Sequence, residues 1–388
     1  MQYDFDRPVD RRGTGDMKGS FAPRTECGRT PLVLAGAEMD FPTAPVIVQA
    51  LSAFAYRGLY GFTLADDAYL GAVVRWMGNV RGVHVSEKDI VPTLGTIFAL
   101  STAIRAFSRP GEGVIALHPS YYRQDRAAVR NGRGVVSVPM CCRAGRYSTD
   151  FNALAEAMAR PENRILILCN PHNPTGRVFS REELKSIASL ARETGTLVFS
   201  DEIFAEHTTP GVEMISMAEM LPECSLTCTS LGKAFNFTGV NHANVIIRDE
   251  RLRSAYIAQR DIDHFGSIDP FFYHAVIAAY TSAGREWIDS VRVQTAENAV
   301  LLKRLLPELS MSPLEGGYIA WLDVSGTGMD GNGFAEAMEK QQAVLVDRGS
   351  EYGPGGENHI RINLATPRAN IREFAARVHA LLTGRKIQ

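Results

Sequence analysis

The sequence predicts an α/β fold in which a mostly parallel central sheet carries helices on both faces, with a smaller α+β domain after it. Short apolar, β-rich runs alternate with helical patterns from about Ala44 to Tyr280, which is typical of parallel strands joined by crossover helices. The pair Ser180 and Glu183 forms a capping box that opens one such helix, Glu182–Glu193. The strand-like runs are Asp89–Pro92, Gly113–Leu117, Val135–Pro139, Arg164–Cys169, Thr196–Ser200, Ser225–Thr229 and Asn244–Ile247.

The pattern changes after Tyr280 and predicts the smaller domain. Its helices and strands are expected at Arg285–Leu306, Gly317–Val324, Gly333–Lys340, near Val344 and His359, and from Ile371 onward. The residues before Ala44, rich in Gly, Arg and Asp, predict an arm of loops. We therefore expect an arm (1–43) that joins the small domain, a large cofactor-binding domain (44–284) and a small C-terminal domain (285–388).

Composition and charge favour a protein that acts on small molecules. The 388 residues are 45% apolar and 22% charged, with a net charge of -2 and a pI near 6.5. This balance predicts no basic face for nucleic acid or an anionic membrane. The N-terminus shows no secretory signal and the apolar runs are strand-length, so we expect a cytoplasmic protein without a membrane span. Cysteines and histidines lack paired metal-ligand spacing, and no metal site is expected.

Lys233 differs from the other lysines of the chain, most of which lie in polar helical or loop stretches. It lies between the apolar run Ser225–Thr229 and the aromatic pair Phe235 and Phe237. Loss of hydration lowers the pKa of an amine and favours Schiff-base chemistry with a carbonyl group. We therefore interpret Lys233 as a candidate catalytic amine.

Three other strand ends carry residues suited to a ligand, because open α/β sheets bind ligands at the carboxyl ends of their strands. Gly95 and Thr96 begin a helix whose free N–H groups suit a phosphate, although such a turn can be only a cap. Asn173 follows a strand within two Asn-Pro turns, which hold it in a rigid non-helical path. Asp201 follows an apolar strand, where it either meets a cation such as a pyridinium nitrogen or caps the next helix.

Together these features resemble the fold type I enzymes that use pyridoxal 5'-phosphate (PLP), the aspartate aminotransferase superfamily, and within it the MalY/PatB branch of cystathionine β-lyases. The matching stretches occur in the family's order over most of the chain, and the one that contains Asn173 is highly specific. They are Ala37–Pro42, Tyr60–Thr63, Pro119–Tyr121, Leu168–Arg177, Ser200–Ile203, Gly232–Asn236 and His359–Asn363.

The resemblance implies the PLP-dependent transferase fold and a homodimer with shared active sites. Lys233 would form the Schiff base with PLP and later move a proton, and Asp201 would pair with the pyridinium nitrogen. Arg361 would bind the substrate carboxylate with a bidentate fork, with Ala37 also at the substrate. The remaining implied contacts are Asn173 to the ring O3', Tyr121 on the ring face, Gly95, Thr96 and Ser230 at the phosphate, and Tyr60 at the phosphate from the partner subunit.

The expected reaction is β-elimination from a cysteine S-conjugate, which yields a thiol, pyruvate and ammonia. Transamination is the alternative, because the same residues serve both reactions. The chain departs from the branch at Phe204, Gly232, Leu94 and Lys18-Gly-Ser20. These departures favour a member of the branch with a specialised substrate, such as an S-linked cysteine conjugate in lincosamide-like antibiotic assembly. Decarboxylation-coupled oxidative deamination of such a conjugate is a further alternative reaction.

Two hypotheses from other functional classes compete with a PLP-dependent enzyme. Gly326, Gly328 and Gly331 follow a strand and precede a helix, with Asp347 further on, which matches a dinucleotide-binding fingerprint. Too little chain remains after that strand for both halves of such a domain, so a loop of the small domain is favoured. A non-catalytic binding protein is the other reading, and retention of Lys233 with its predicted neighbours argues against it.

Overall fold

The computed structural model describes residues 3–11, 13–20 and 27–384. The helices are α1 (Met17–Ser20), α2 (Pro45–Arg57), α3 (Asp67–Arg81), α4 (Gly95–Phe107), α5 (Tyr122–Arg130), α6 (Phe151–Met158), α7 (Arg181–Thr194), α8 (Met217–Met220), α9 (Leu231–Ala234), α10 (Glu250–Ile262), α11 (Pro270–Ala279), α12 (Ser282–Leu305), α13 (Gly331–Gln342) and α14 (Arg368–Thr383). The strands are β1 (Leu32–Val33), β2 (Ile90–Thr93), β3 (Gly113–His118), β4 (Gly134–Pro139), β5 (Cys141–Arg143), β6 (Arg146–Ser148), β7 (Asn163–Cys169), β8 (Leu197–Asp201), β9 (Ser225–Thr229), β10 (Ala243–Ile246), β11 (Ser310–Met311), β12 (Ile319–Asp323), β13 (Val344–Leu345), β14 (Asp347–Arg348) and β15 (His359–Asn363).

Within these ranges the central sheet has seven strands in the order β2-β10-β9-β8-β7-β3-β4. The pairs from β9 through β4 are parallel, and β10 runs antiparallel to both of its neighbours. This confirms the predicted mostly parallel sheet. Each strand-like run of the sequence forms a strand within one residue of its predicted bounds.

Helices cover both faces of this sheet, because its strands direct apolar side chains to both faces. In β7, Ile165 and Ile167 pack in one core cluster with residues of α4, α5 and α10. Leu166 and Leu168 point to the other face and pack with residues of α6 and α7. Successive side chains of a strand point to opposite faces, so a run buried on both faces must be apolar throughout.

The second sheet has four strands in the order β11-β12-β15-β14 and is antiparallel at every pair. The glycine-rich segment that resembled a dinucleotide fingerprint follows β12, an antiparallel strand. A dinucleotide-binding unit needs a parallel βαβ crossover at that point. The structure therefore supports the interpretation of this segment as a loop.

The N-terminal arm is more ordered than the loops predicted for it. It contains the short helix α1 and the strand β1, which pairs parallel with β13. The apolar side chains of Leu32 and Leu34 are buried in the core of the second sheet, and this burial fixes the strand there. Residues 1–2, 12 and 21–26 of the arm lie outside the described residues, as does Lys386. None of the helices in the described ranges is long and apolar enough to cross a membrane.

Candidate active site

A cavity of about 230 Å³ opens where β2, β8 and β9 end at the carboxyl edge of the central sheet. The sequence-predicted residues that line it together are Gly95, Thr96, Tyr121, Asp201, Ser230 and Lys233. Arg361 and Asn173 hydrogen-bond to each other, and the charge of Arg361 acts on Lys233. Ala37 meets Lys233 through its carbonyl oxygen. Tyr60 is not part of this lining within its own chain.

Lys233 lies in the short helix α9, where it is largely removed from water. Ser230 begins this helix, and its Oγ accepts a hydrogen bond from Gly232 N at 3.0 Å. Lys233 Nζ donates a hydrogen bond to the carbonyl oxygen of Ala37. Burial, and then the nearby Arg361 cation, lower the pKa of the Lys233 amine to about 8. This loss of hydration increases the fraction of the neutral, nucleophilic amine at neutral pH.

Asp201 ends β8 as a buried carboxylate that has only neutral partners. Gln124 Nε2 donates to its Oδ2 at 2.8 Å, and Ile203 N donates to its Oδ1 at 3.3 Å. Among the described residues, no lysine or arginine forms an ion pair with it. Burial raises the pKa of Asp201 to about 6. A carboxylate in such a place is stabilised by any cation that enters the cavity.

The amino end of α4 forms a neutral anion-binding corner of the cavity. Gly95 begins this helix with φ +74°, a conformation that favours glycine. The free N–H groups of the first turn and the helix dipole favour an anion such as phosphate. The Ser230 hydroxyl lines the same cavity and donates to the carbonyl oxygen of His242 at 2.8 Å. Burial lowers the pKa of the His242 imidazole well below its usual value, so this ring adds no positive charge.

Arg361 lies in β15 with part of its guanidinium already engaged. Its Nε and Nη2 donate to Asp347 Oδ2 at 2.8 and 2.5 Å, and its Nη1 donates to Asn173 Oδ1 at 2.8 Å. The guanidinium also lies over the Tyr352 ring, 4.9 Å from its centroid. A guanidinium has five N–H donors, so one on each terminal nitrogen remains for a carboxylate. Asp347 and Asn173 thus orient Arg361 for bidentate recognition.

The arm brings a group of charges next to the amine of Lys233. Lys18 Nζ donates to Asp40 Oδ1 at 2.7 Å, and Arg11 pairs with Glu38. The charge of Glu38 acts on Lys233 in the direction that raises its pKa, against the larger effect of burial. Lys18, the first residue of the segment Lys18-Gly-Ser20, therefore forms an ion pair within the arm with Asp40, two residues from Glu38.

Phe204 does not line the cavity. It is 3% exposed and packs edge-on against Tyr318, with ring centroids 5.2 Å apart. The Tyr318 hydroxyl donates to the carbonyl oxygen of Ala37 at 3.3 Å, the same oxygen that accepts from Lys233. The apolar ring of Phe204 thus packs against the ring of Tyr318 and helps to hold it in position. Among the other departures, Leu94 and Gly232 lie in the cavity lining.

Tyr60 lies in an exposed apolar segment of the chain. Its side chain is 55% exposed, and its hydroxyl donates to the carbonyl oxygen of Ala55 at 2.6 Å. Tyr56 and Phe62 in the same segment are 95% and 99% exposed. Large exposed apolar side chains in one segment are typical of a surface that contacts another protein.

Several contacts at the site could not be read from the sequence. Gln124, Asp347 and Tyr318 each hold a predicted residue in place, but none follows a strand of the central sheet. In the sequence, Asp347 was noted only as the acid of the apparent dinucleotide fingerprint. That pattern suggested a dinucleotide, and not Arg361, as its partner. Gln124 is three residues from Tyr121, one helical turn, and this spacing is the signal that could have found it.

The donors around the cavity fit PLP. Asp201 is a buried acid without a cation, as the pyridinium nitrogen of PLP requires, and it shares the cavity with the amine of Lys233. The Oδ1 of Asn173 accepts from Arg361, which leaves the amide nitrogen of Asn173 to donate to a ring oxygen. A Cβ atom at Gly95 would approach only the backbone N of His242, at 3.9 Å, so the corner for the phosphate is open.

Comparisons with known proteins agree with this fit. The family model described as aminotransferase class I and II matches residues 29–378. The cystathionine beta-lyase PatB of Bacillus subtilis is 31% identical over 386 residues, 98% of this chain and 100% of that protein. Protein MalY of Escherichia coli is 30% identical over 380 residues, 96% of this chain and 97% of that protein. The crystal structure of cystalysin from Treponema denticola, which contains a PLP cofactor, has a TM-score of 0.95 at 28% identity and covers 99% of this chain and 100% of its own.

Proposed function

Because the chain belongs to the aminotransferase class I and II family of PLP-dependent enzymes, in the branch of PatB and MalY, we propose that it is a C–S β-lyase. Its substrate would be a cysteine S-conjugate, which it splits into a thiol, pyruvate and ammonia. The observation that carries this proposal is the identity of 31% to a cystathionine beta-lyase over 98% of the chain. The lowered pKa of Lys233, beside a cavity that fits PLP, supports it.

The cofactor contacts that we propose are those that the family resemblance implies, and the lining of the cavity is compatible with them. When bound, PLP supplies an electron sink that stabilises negative charge at the substrate Cα. Lys233 would hold the cofactor, and its amine in the neutral form would remove the Cα proton. Asp201 faces the pyridinium nitrogen as a carboxylate, Asn173 donates to O3', and Tyr121 covers the ring face. Gly95, Thr96 and Ser230 bind the phosphate.

Arg361 and Ala37 form the proposed contacts to the substrate. The two N–H donors of Arg361 that remain after its bonds to Asp347 and Asn173 bind the α-carboxylate. This bidentate contact holds the bond to be broken in a fixed orientation, which a single point charge does not. The carbonyl oxygen of Ala37 accepts a hydrogen bond from Lys233, and we propose that it lies beside the bound substrate.

We propose a homodimer in which Tyr60 reaches the phosphate of the partner's site. The exposed apolar segment around Tyr60 supports a protein interface there, and Tyr60 does not line the cavity of its own chain. We also propose the division into residues 1–43, 44–284 and 285–388, a cytoplasmic location, and a role in specialised metabolism of the lincosamide-like kind. The departures at Phe204 and Gly232 favour this specialised role.

Transamination is the second candidate function. The family model supports it, because that model is named for aminotransferases. Both reactions begin by removing the Cα proton, and the amine of Lys233 is placed for either. Decarboxylation-coupled oxidative deamination is a third outcome, and it requires loss of the carboxylate that Arg361 holds.

Two parallel incubations separate these reactions. The holoenzyme is mixed with a cysteine S-conjugate, without and with an added keto acid, and thiol, pyruvate, ammonia, carbon dioxide and any amino acid formed from the keto acid are measured. We expect thiol and pyruvate in equal amounts and no carbon dioxide. Amino transfer that requires an added keto acid would instead assign the protein as an aminotransferase. Carbon dioxide release with consumption of oxygen would assign it to oxidative deamination.

A further inference from the structure

Arg123 is a second cation at the cavity, with no role in holding PLP or the α-carboxylate in the proposed function. It lines the cavity together with Tyr121, Asp201 and Lys233. Its charge lowers the pKa of Lys233, as does that of Arg361, so both cations act on the same amine. The reaction centre is therefore within electrostatic reach of both guanidinium groups.

The Arg123 guanidinium is available to a ligand. Its side chain is exposed, and its hydrogen bond within the chain joins Nε to the Tyr122 hydroxyl at 3.4 Å. In the described part of the chain, no carboxylate forms an ion pair with it. Arg361 by contrast is 3% exposed and bound to Asp347. Arg123 thus keeps most of its N–H donors free at the open side of the cavity.

The two arginines differ in depth, and this difference orients a substrate. The buried Arg361 suits the α-carboxylate of an amino acid, whereas the exposed Arg123 suits the part of a bound substrate that extends toward the cavity opening. In a cysteine S-conjugate, that part is the substituent on sulfur. A guanidinium there favours an anionic substituent, because charge-assisted bidentate bonds to a carboxylate are stronger than bonds to a neutral amide.

We propose that Arg123 binds a carboxylate on the sulfur substituent, so that the preferred substrates are cysteine S-conjugates with a second acidic group. This inference rests on the proposed C–S lyase function, which it narrows to a substrate class. Arg123 acts as a specificity-determining residue, and the chemistry at the Cα remains with Lys233.

The first test compares two conjugates of equal size, S-(2-carboxyethyl)-L-cysteine and S-(2-carbamoylethyl)-L-cysteine. The wild-type holoenzyme should favour the carboxylate over the carboxamide in kcat/KM by about tenfold. Arg123→Gln should reduce that ratio to about one. The two conjugates are compared within each variant, because loss of the Arg123 charge also raises the pKa of Lys233 and affects both conjugates alike. Arg126→Gln is the matched control, because Arg126 lies in the same helix over the Tyr122 ring and outside the cavity lining.

The second test measures binding without turnover, so that it is independent of the proposed reaction. Titration calorimetry of the holoenzyme with glutarate and with its monoamide glutaramate should give tighter binding of glutarate, and Arg123→Gln should remove this difference. A difference that persists in Arg123→Gln would overturn the inference, as would weakened PLP binding in that variant. A glutarate preference that depends on Arg123, in an enzyme that turns over neither conjugate, would support the anion site and reject the lyase function. If the wild type turns over both conjugates with nearly equal kcat/KM, the anion site is rejected and the proposed lyase function stands.

Discussion

Gln124 holds Asp201 with a neutral donor, through a hydrogen bond of 2.8 Å from Nε2 to Oδ2. A cationic partner would neutralise the carboxylate, whereas the amide orients it and leaves its charge for the cofactor. The charged form of Asp201 is disfavoured by burial, which raises its pKa to about 6. Gln124 therefore helps to keep Asp201 ionised at neutral pH.

Gln124→Leu should weaken the binding of PLP. Loss of the donor leaves the buried Asp201 with one hydrogen bond fewer and raises its pKa further, so fewer molecules carry the anion that pairs with the pyridinium nitrogen. We expect the apparent Kd of PLP to rise about tenfold, measured by titration of the apoprotein. Gln294→Leu is the control, because Gln294 is also buried but bonds to Arg368 elsewhere. Equal PLP affinity in Gln124→Leu and wild type would contradict this role.

Asp347→Asn should raise KM for amino acid substrates more than it lowers kcat. Asp347 accepts two hydrogen bonds from Arg361 and fixes the plane of its guanidinium. The asparagine has nearly the same size but loses the ion pair, so Arg361 samples more orientations. An increase in KM of about tenfold is expected from the loss of one charge-assisted contact. If KM were unchanged while PLP affinity fell, Asp347 would act on the cofactor and not on substrate recognition.

Tyr60→Phe should loosen PLP through the partner subunit. The variant removes only the hydroxyl, which we place at the phosphate of the neighbouring site. We expect the apparent Kd of PLP to rise by about threefold to tenfold, the usual effect of losing one hydrogen bond. Tyr56→Phe lies in the same exposed segment and should leave the Kd unchanged. Identical values for the two variants would argue against a phosphate contact by Tyr60.

Lys233→Met should stabilise the apoprotein at pH 7 by an amount that shrinks at high pH. The folded-state pKa of Lys233, about 8, lies below the usual lysine value of 10.5, so the unfolded chain binds more protons between these pH values. Stability of the wild-type apoprotein therefore rises as pH increases through this window, while the variant lacks this contribution. We expect the variant to gain about 3 kcal/mol in unfolding free energy at pH 7, with little gain near pH 10.5. A gain that is the same at both pH values would show that packing alone is responsible.

The strand ends of the central sheet were predictable because a run buried on both faces must be apolar, and the polar residue that follows it is conspicuous. Lys233 and Asp201 were found in this way. Gln124 and Asp347 were not, because each acts through a contact across the fold. The helical spacing from Tyr121 points to Gln124 but does not show that its partner is Asp201. The β1 strand of the arm was missed for a related reason, since its partner β13 lies more than three hundred residues away along the chain.

The central claim is that Lys233 binds PLP, and peptide mapping after borohydride reduction tests it most directly. Reduction converts a linkage between PLP and lysine into a stable amine, which mass spectrometry then locates. We predict the pyridoxyl phosphate group on Lys233 and loss of this modification, together with the visible absorption band, in Lys233→Ala. A purified protein that binds no PLP, or one modified at a different lysine, would rule out this role of Lys233.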